Sequence, residues 1–317
     1  MIEIQRKDDR TTENSYRLRG IVSGYAVIQE LGGYLIAQAG GDSADITSIS
    51  SLFPRQPIVC IPYNEALMNN VVETKQEGRV LRVWLNRPDH RNLLTTELCR
   101  ELTRAFDRAQ KDSSVGSVLL AGKGDSFCAG IDFSELAKDE VEIISSVQER
   151  LFTTGTRLTK PLIGAVQGVA QGGGTGLVAN CHVAISSEDA TFGLTGIRHG
   201  LWPFVIFHPI AAAVGQRRAL ALTITGEVLS APEALRVGLV HEVVPVGQIE
   251  QRALDIAQTV AHYSSNAMRA GLAFVYKVQG QTWDAAAGAG SLVRDHFLKS
   301  PEFQADLAAF LKKEHDA

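Results

Sequence analysis

One run of twelve residues constrains this chain more than any other: Val166-Gln167-Gly168-Val169-Ala170-Gln171-Gly172-Gly173-Gly174-Thr175-Gly176-Leu177. It follows the apolar run Pro161 to Val166, which reads as a buried strand. The small apolar segment Leu177 to Ala179 behind it reads as a helix. The glycines therefore sit where a strand passes into a helix start. There the first backbone N–H groups lack helical partners, and the dipole favours negative charge. Glycine leaves those groups open to a ligand; a tight turn chosen for packing is the alternative. No Gly-Lys-Ser/Thr follows, and the spacing is not G-x-G-x-x-G. A P-loop and a dinucleotide fingerprint are thus both set aside.

The rest of the composition narrows the class. A chain of 317 residues, 45% of them hydrophobic, can bury a sizeable core as one large domain or one domain with an appendage. A net charge of −4 without a long basic run argues against nucleic acid as a partner. No apolar run approaches the ~20 residues of a membrane span, and the first ten residues lack a signal core. Cys60, Cys99, Cys128 and Cys181 form no C-x-x-C pair. They read as reduced core residues of a cytoplasmic protein, and no metal site is expected.

Along the chain, Arg19 to Val22, Tyr25 to Ile28 and Tyr34 to Ala37 are short β-prone runs punctuated by Gly24 and Gly32-Gly33, which suggests a meander. Gly40-Gly41-Asp42-Ser43 then echoes Gly124-Asp125-Ser126, and Pro57-Ile58-Val59-Cys60-Ile61 echoes Pro161-Leu162-Ile163-Gly164-Ala165. Either residues 1–75 are an N-terminal extension holding a shortened, degenerate partial repeat, or the echoes are coincidence among strand-like runs. A second region starts near residue 76. Val80 to Leu85 reads as a strand. Thr95 or Thr96 caps a helix whose Leu98, Leu102, Ala105, Phe106 and Ala109 share one face. Ser230-Ala231-Pro232-Glu233 is a capping box. Residues 248–262, 265–277, 282–298 and 302–313 read as helices, so an α/β core precedes a helical C-terminal region.

Val115 to Ala121 reads as another strand, and Phe127-Cys128-Ala129-Gly130-Ile131-Asp132 follows it. With Lys160-Pro161 through Gly174, and with Thr225-Gly226 through Gly238-Leu239-Val240, this segment resembles the crotonase superfamily, the enoyl-CoA hydratase/isomerase family, over about residues 76–317. The resemblance implies a crotonase-like spiral of repeated β-β-α units over 76–245 and a C-terminal helical trimerisation region over 246–317. Homotrimers, often paired into hexamers, are implied with it. The implied substrate is an acyl-CoA thioester, with coenzyme A entering as part of the substrate and no separate cofactor.

The family's shared step is stabilisation of a thioester enolate by two backbone N–H groups, worth on the order of 3 kcal/mol. By motif position these donors correspond to Ile131 and Gly173. The same resemblance puts Arg91, Ala129, Asp132 and Gly172 along the CoA and acyl path. Gly196, Trp202 and Phe204 fall on the loop that faces the acyl group. The chain departs from the family at two places. The two glutamates that manage water and the α-proton correspond here to Gly176 and Gly196, and glycine neither takes nor gives a proton. Asp132 reads as structural. His199, three residues past Gly196, is the candidate replacement acid or base, because a histidine titrates near neutrality. Decarboxylase-like or atypical lyase/hydratase chemistry is expected, or else a catalytically silent binding or scaffold protein that keeps the fold.

Overall fold

The computed structural model describes five strands within residues 3–62, then residues 71–136 and 141–315. It divides into two compact units, 1–70 and 71–317. In the first unit β1 (Glu3–Arg6), β2 (Ser15–Arg19), β3 (Ala26–Leu31), β4 (Tyr34–Ala39) and β5 (Ile58–Pro62) form one sheet in that order. β1 to β4 are antiparallel, the meander expected from the glycine punctuation, and β5 runs parallel to β4. The β4–β5 register pairs Leu35 with Ile58, Ile36 with Val59 and Ala37 with Cys60. Residues 40–57, which carry part of the sequence echo, lie outside the described residues.

The second unit opens with the hairpin β6 (Val72–Glu77) and β7 (Val80–Leu85). It continues through α1 (Thr96–Lys111), β8 (Ser117–Gly122), α2 (Phe133–Leu136), α3 (Val141–Phe152) and β9 (Leu162–Val166). Then come β10 (Val169–Gln171), α4 (Gly173–Asn180), β11 (Val183–Ser187) and β12 (Thr191–Gly193). Next are α5 (Phe207–Val214), α6 (Gln216–Thr225), β13 (Val228–Ser230), α7 (Ala231–Arg236), β14 (Glu242–Val244) and α8 (Ile249–Ala261). The described chain closes with α9 (Ser265–Lys277), α10 (Trp283–Leu298) and α11 (Pro301–His315). The main sheet has the order β14-β11-β9-β8-β7-β6 and is parallel except for the β6–β7 hairpin. A small sheet, β10-β12-β13, stands beside it. The β8–β9 register pairs Val118 with Leu162, Leu119 with Ile163 and Leu120 with Gly164. Leu162 to Gly164 are the residues that Ile58 to Cys60 echo, and each run pairs in parallel with the strand beside it.

The central strands β8 and β9 bury both faces, as the middle of a parallel sheet does. Val118 and Leu120 point into the larger core, where Leu98, Leu102, Ala105, Phe106 and Ala109 of α1 meet them. Leu119 and Ala121 point the other way, against Ile249, Ala253, Leu254, Ala257 and Ala261 of α8. The two-residue period of the strands thus meets helical stripes on both sides. The expected caps are present: Thr95 accepts from Leu98 N–H at 3.1 Å, and Ser230 and Glu233 form the capping box. Among the described residues no helix is long and apolar enough to cross a membrane. Cys99 and Cys128 are buried free thiols. Burial pushes the Cys128 thiol up to about 12, which fits its reading as an inert core residue.

One local expectation is corrected. The glycine run does not precede the helix at Leu177; α4 begins at Gly173 and contains Gly174 and Gly176. Helix propensity disfavours this, but close approach requires it. A Cβ on Gly174 would overlap the Cys128 carbonyl oxygen, and one on Gly176 would stand 2.7 Å from Ile206 Cγ2. The short strand β10, absent from the sequence reading, separates β9 from this helix.

Candidate active site

Two backbone segments meet at the start of α4. The first, 127–132, is stitched on both sides. Cys128 N–H donates to Val169 O at 2.9 Å and Ala129 N–H to Arg91 O at 3.0 Å. Asp132 N–H donates to Leu94 O at 3.1 Å, while Gly130 O accepts from Leu94 N–H at 2.7 Å. Gly130 has φ 110°, a conformation open to glycine and strained for other residues. In the parallel bridge of Leu94 with Ile131 the hydrogen bonds pass through Gly130 O and Asp132 N–H, which leaves the Ile131 N–H outside the ladder. The second segment is Gly172-Gly173: Gly172 N–H donates to Gly193 O at 2.8 Å, and Gly173 opens α4. Among the described residues no hydrogen bond uses the N–H of Ile131 or of Gly173. The segments touch, since a Cβ on Gly130 would lie 4.0 Å from the Gly173 nitrogen.

Ile131 and Gly173 line one cavity of about 380 Å³, a size ordinary for small-molecule sites. Ala129, Gly172, Gly196, Trp202 and Phe204 line it too, as read from the sequence. Trp202 stacks on Phe207 with centroids 6.4 Å apart, and Phe204 stands 78% exposed at the edge.

Three sequence-derived candidates lie outside that lining. The Arg91 side chain is exposed, and only its carbonyl serves the site, by holding Ala129. Asp132 accepts from the Ser134 hydroxyl at 2.7 Å and from its N–H at 3.1 Å, and stands 3.7 Å from Arg87. The Ser134 hydroxyl, with its N–H and Arg87, holds the Asp132 carboxyl below the usual carboxylate range. Asp132 is thus an ionised loop brace. His199 is exposed on a 3-10 turn, Thr195–His199, its ring edge-on to Phe133 at 5.9 Å. Phe133 itself lines the cavity, whereas His199 does not.

The cavity also uses residues that motif reading did not single out. α3 brings Ser145, Gln148 and Phe152 to it, and the chain before α5 brings Ile206. The four-residue spacing from Gln148 to Phe152 on one helix face was the available signal; for Ile206 there was none. Asn92, 0% exposed at φ 53°, ties the site together. Its Oδ1 accepts Arg87 N–H at 2.8 Å, and its Nδ2 donates to Lys123 O at 2.9 Å and Ser126 O at 2.8 Å. Glu135 turns away and caps α1, accepting Thr96 N–H at 2.7 Å.

No side chain lining this cavity among the described residues titrates; its polar side chains are Ser145, Gln148 and Thr195. The position of Gly176 is filled as well as uncharged, because Ile206 and Phe152 pack where its side chain would start. Gly196 is less crowded, its Cβ position 3.3 Å from Leu201 O.

Residues 75–316 match the family model described as enoyl-CoA hydratase/isomerase. A probable mitochondrial enoyl-CoA hydratase of Dictyostelium discoideum is 36% identical over 195 residues, 60% of this chain and 70% of that protein. A putative enoyl-CoA hydratase of Thermus thermophilus is 29% identical over 75% of this chain and 96% of its own length. The crystal structure of an enoyl-CoA hydratase from Mycobacterium smegmatis superposes with a TM-score of 0.72 at 28% identity, covering 77% of this chain and 96% of that one.

Proposed function

The chain belongs to the enoyl-CoA hydratase/isomerase family, and from that premise we propose that this acyl-CoA-processing enzyme forms its thioester enolate by decarboxylation. The observation that carries the reading is that no described residue lining the cavity has a titratable side chain. Hydration requires one group to activate water and another to manage the α-proton, and positions 176 and 196 supply neither. Loss of carbon dioxide needs no base. The electron pair of the C–COO⁻ bond becomes the Cα=C bond of the enolate, and the charge moves to the thioester oxygen. The N–H groups of Ile131 and Gly173 are the donors for that oxygen, and they lie beside the apolar floor of the cavity. The substrate is then a CoA thioester carrying a carboxyl group on its α-carbon.

A second reading keeps hydration, with His199 as the acid or base. The edge contact of its ring with the cavity-wall residue Phe133 favours it. Purified protein incubated with malonyl-, methylmalonyl- and crotonyl-CoA and read by mass spectrometry separates the readings. Decarboxylated products support the first and 3-hydroxybutyryl-CoA the second. Binding without turnover returns the silent-scaffold alternative.

The proposal extends to assembly. α9 and α10 contribute no buried residue, nor do the α11 side chains that the structure describes, while Trp283 is 90%, Leu292 75% and Phe310 56% exposed. Such apolar exposure fits an interface, and a homotrimer or hexamer in the cytoplasm is the proposed state. The parallel β4–β5 and β8–β9 pairs favour reading residues 34–62 as a shortened copy of 117–166. The antiparallel β3–β4 pair, against the parallel β7–β8 pair, marks where that copy diverges.

A further inference from the structure

The cavity is closed on one side and open on the other. Its floor lies along the first turn of α4. There the Phe152 ring spans two glycines, with Cζ 3.3 Å from the Cβ position of Gly173 and Cε1 3.1 Å from that of Gly176. Ile206 abuts the same turn, its Cγ2 2.7 Å and its Cβ 2.9 Å from the Gly176 position. Phe152 is 3% and Ile206 7% exposed, yet both line the cavity. The floor beside the Gly173 N–H is therefore sealed by hydrocarbon. The mouth is not: the wall residues Phe133, Val141 and Phe204 are 48%, 65% and 78% exposed, and His199 sits at Phe133.

We infer that this one-sided closure makes protonation of the α-carbon stereospecific without a protein acid inside the cavity, and that Ile206 is the residue that sets the face. The inference rests on the proposed decarboxylation. The enolate left after carbon dioxide departs is planar, and its oxygen is pinned by two backbone donors, so it presents two distinct faces. One lies against Phe152 and Ile206 and meets only carbon. The other looks toward the mouth, where solvent arrives. Water there gives one proton to the α-carbon and leaves as hydroxide, the C=O bond reforms, and the saturated thioester is released. Ile206 acts as a specificity-determining residue by exclusion.

The test uses the full chain with each C2 epimer of methylmalonyl-CoA separately in D₂O, where each turnover writes one deuterium onto C2 of propionyl-CoA. The ratio of enantiomers, read by NMR after derivatisation, does not depend on rate. For the wild type one enantiomer is expected in roughly tenfold excess or more, a facial barrier difference of about 1.4 kcal/mol. Ile206→Ala opens the sealed face to water and is expected to bring the ratio toward unity. Ile206→Val removes one carbon, should fold if the alanine variant does not, and is expected in between. A wild-type ratio near unity overturns the inference, as does an unchanged excess in both variants. Absence of carbon dioxide release and deuterium uptake overturns the proposed function and this inference with it, whereas turnover without facial preference overturns this inference alone.

Discussion

Replacing Gly176 with alanine tests the packing that defines the cavity floor. In most helices Gly→Ala stabilises by about 0.5–1 kcal/mol, because alanine loses less backbone freedom on folding. Here the new methyl would stand 2.7 Å from Ile206 Cγ2, 2.9 Å from its Cβ and 3.1 Å from Phe152 Cε1. Ordinary carbon contacts begin near ~3.5 Å, so the closest pair is about 0.8 Å too close. Ile206 and Phe152 are buried and cannot swing into solvent. Overpacking of this kind costs about 1–3 kcal/mol. Set against the helical gain, the net loss is about 1.3 kcal/mol, or roughly 3–5 °C in Tm for a unit of this size. In an Ile206→Ala background the Cγ2 contact is gone while the Cβ at 2.9 Å and Phe152 Cε1 at 3.1 Å remain free to relax into the vacated space, so the same change should cost clearly less. The coupling between the two sites should then reach about 1–2 kcal/mol, within the range for residues in contact. The assay is thermal and urea unfolding of the four proteins. A Gly176→Ala protein that melts higher than wild type would refute the reasoning, and so would equal shifts in both backgrounds.

Asn92→Ala removes three hydrogen bonds that join the 87–92 and 123–126 loops and places alanine at positive φ; a loss of about 3–4 kcal/mol is expected by urea unfolding. His182 accepts Leu162 N–H on Nδ1 at 2.8 Å, so its proton sits on Nε2, 2.7 Å from Tyr276 Oη. Burial lowers its pKa to about 4. The unfolded chain therefore takes up the proton first as pH falls, and stability should be full above about 6.5 and decline toward 4 by up to about 3 kcal/mol. Unfolding free energies of His182→Gln should lack that decline. His199→Gln should leave decarboxylation and its pH profile near wild type, and a lost inflection near neutrality would instead promote His199 to proton carrier. Light scattering should give a trimer or hexamer, and a stable monomer at micromolar concentration would count against the proposed assembly.

Much was determined by the sequence alone. Short strand-prone runs marked β7, β8 and β9, and β8 and β9, buried at every position, are almost wholly apolar. The α1 face and the last four helices were legible from their periods, and Thr95 and Ser230 from cap chemistry that acts within four residues. The sequence shows glycine at 176 and 196, and its motifs point to the N–H groups of Ile131 and Gly173, which donate to no partner among the described residues. Contacts between residues far apart in the chain were decided by the tertiary structure. Sheet register and helix docking lay Phe152 and Ile206 on Gly176 and turned three glycines into the first turn of a helix against propensity. The same packing turned His199 outward, tied Asp132 to Ser134 and Arg87, and buried Asn92 as a hinge between loops. Periodicity tells which face of an element is covered, but what covers it depends on partners twenty or more residues away, as with Phe152 and Ile206 on Gly176. For that reason the chain announced the open backbone donors of its site, while only the fold revealed the hydrocarbon floor beside them.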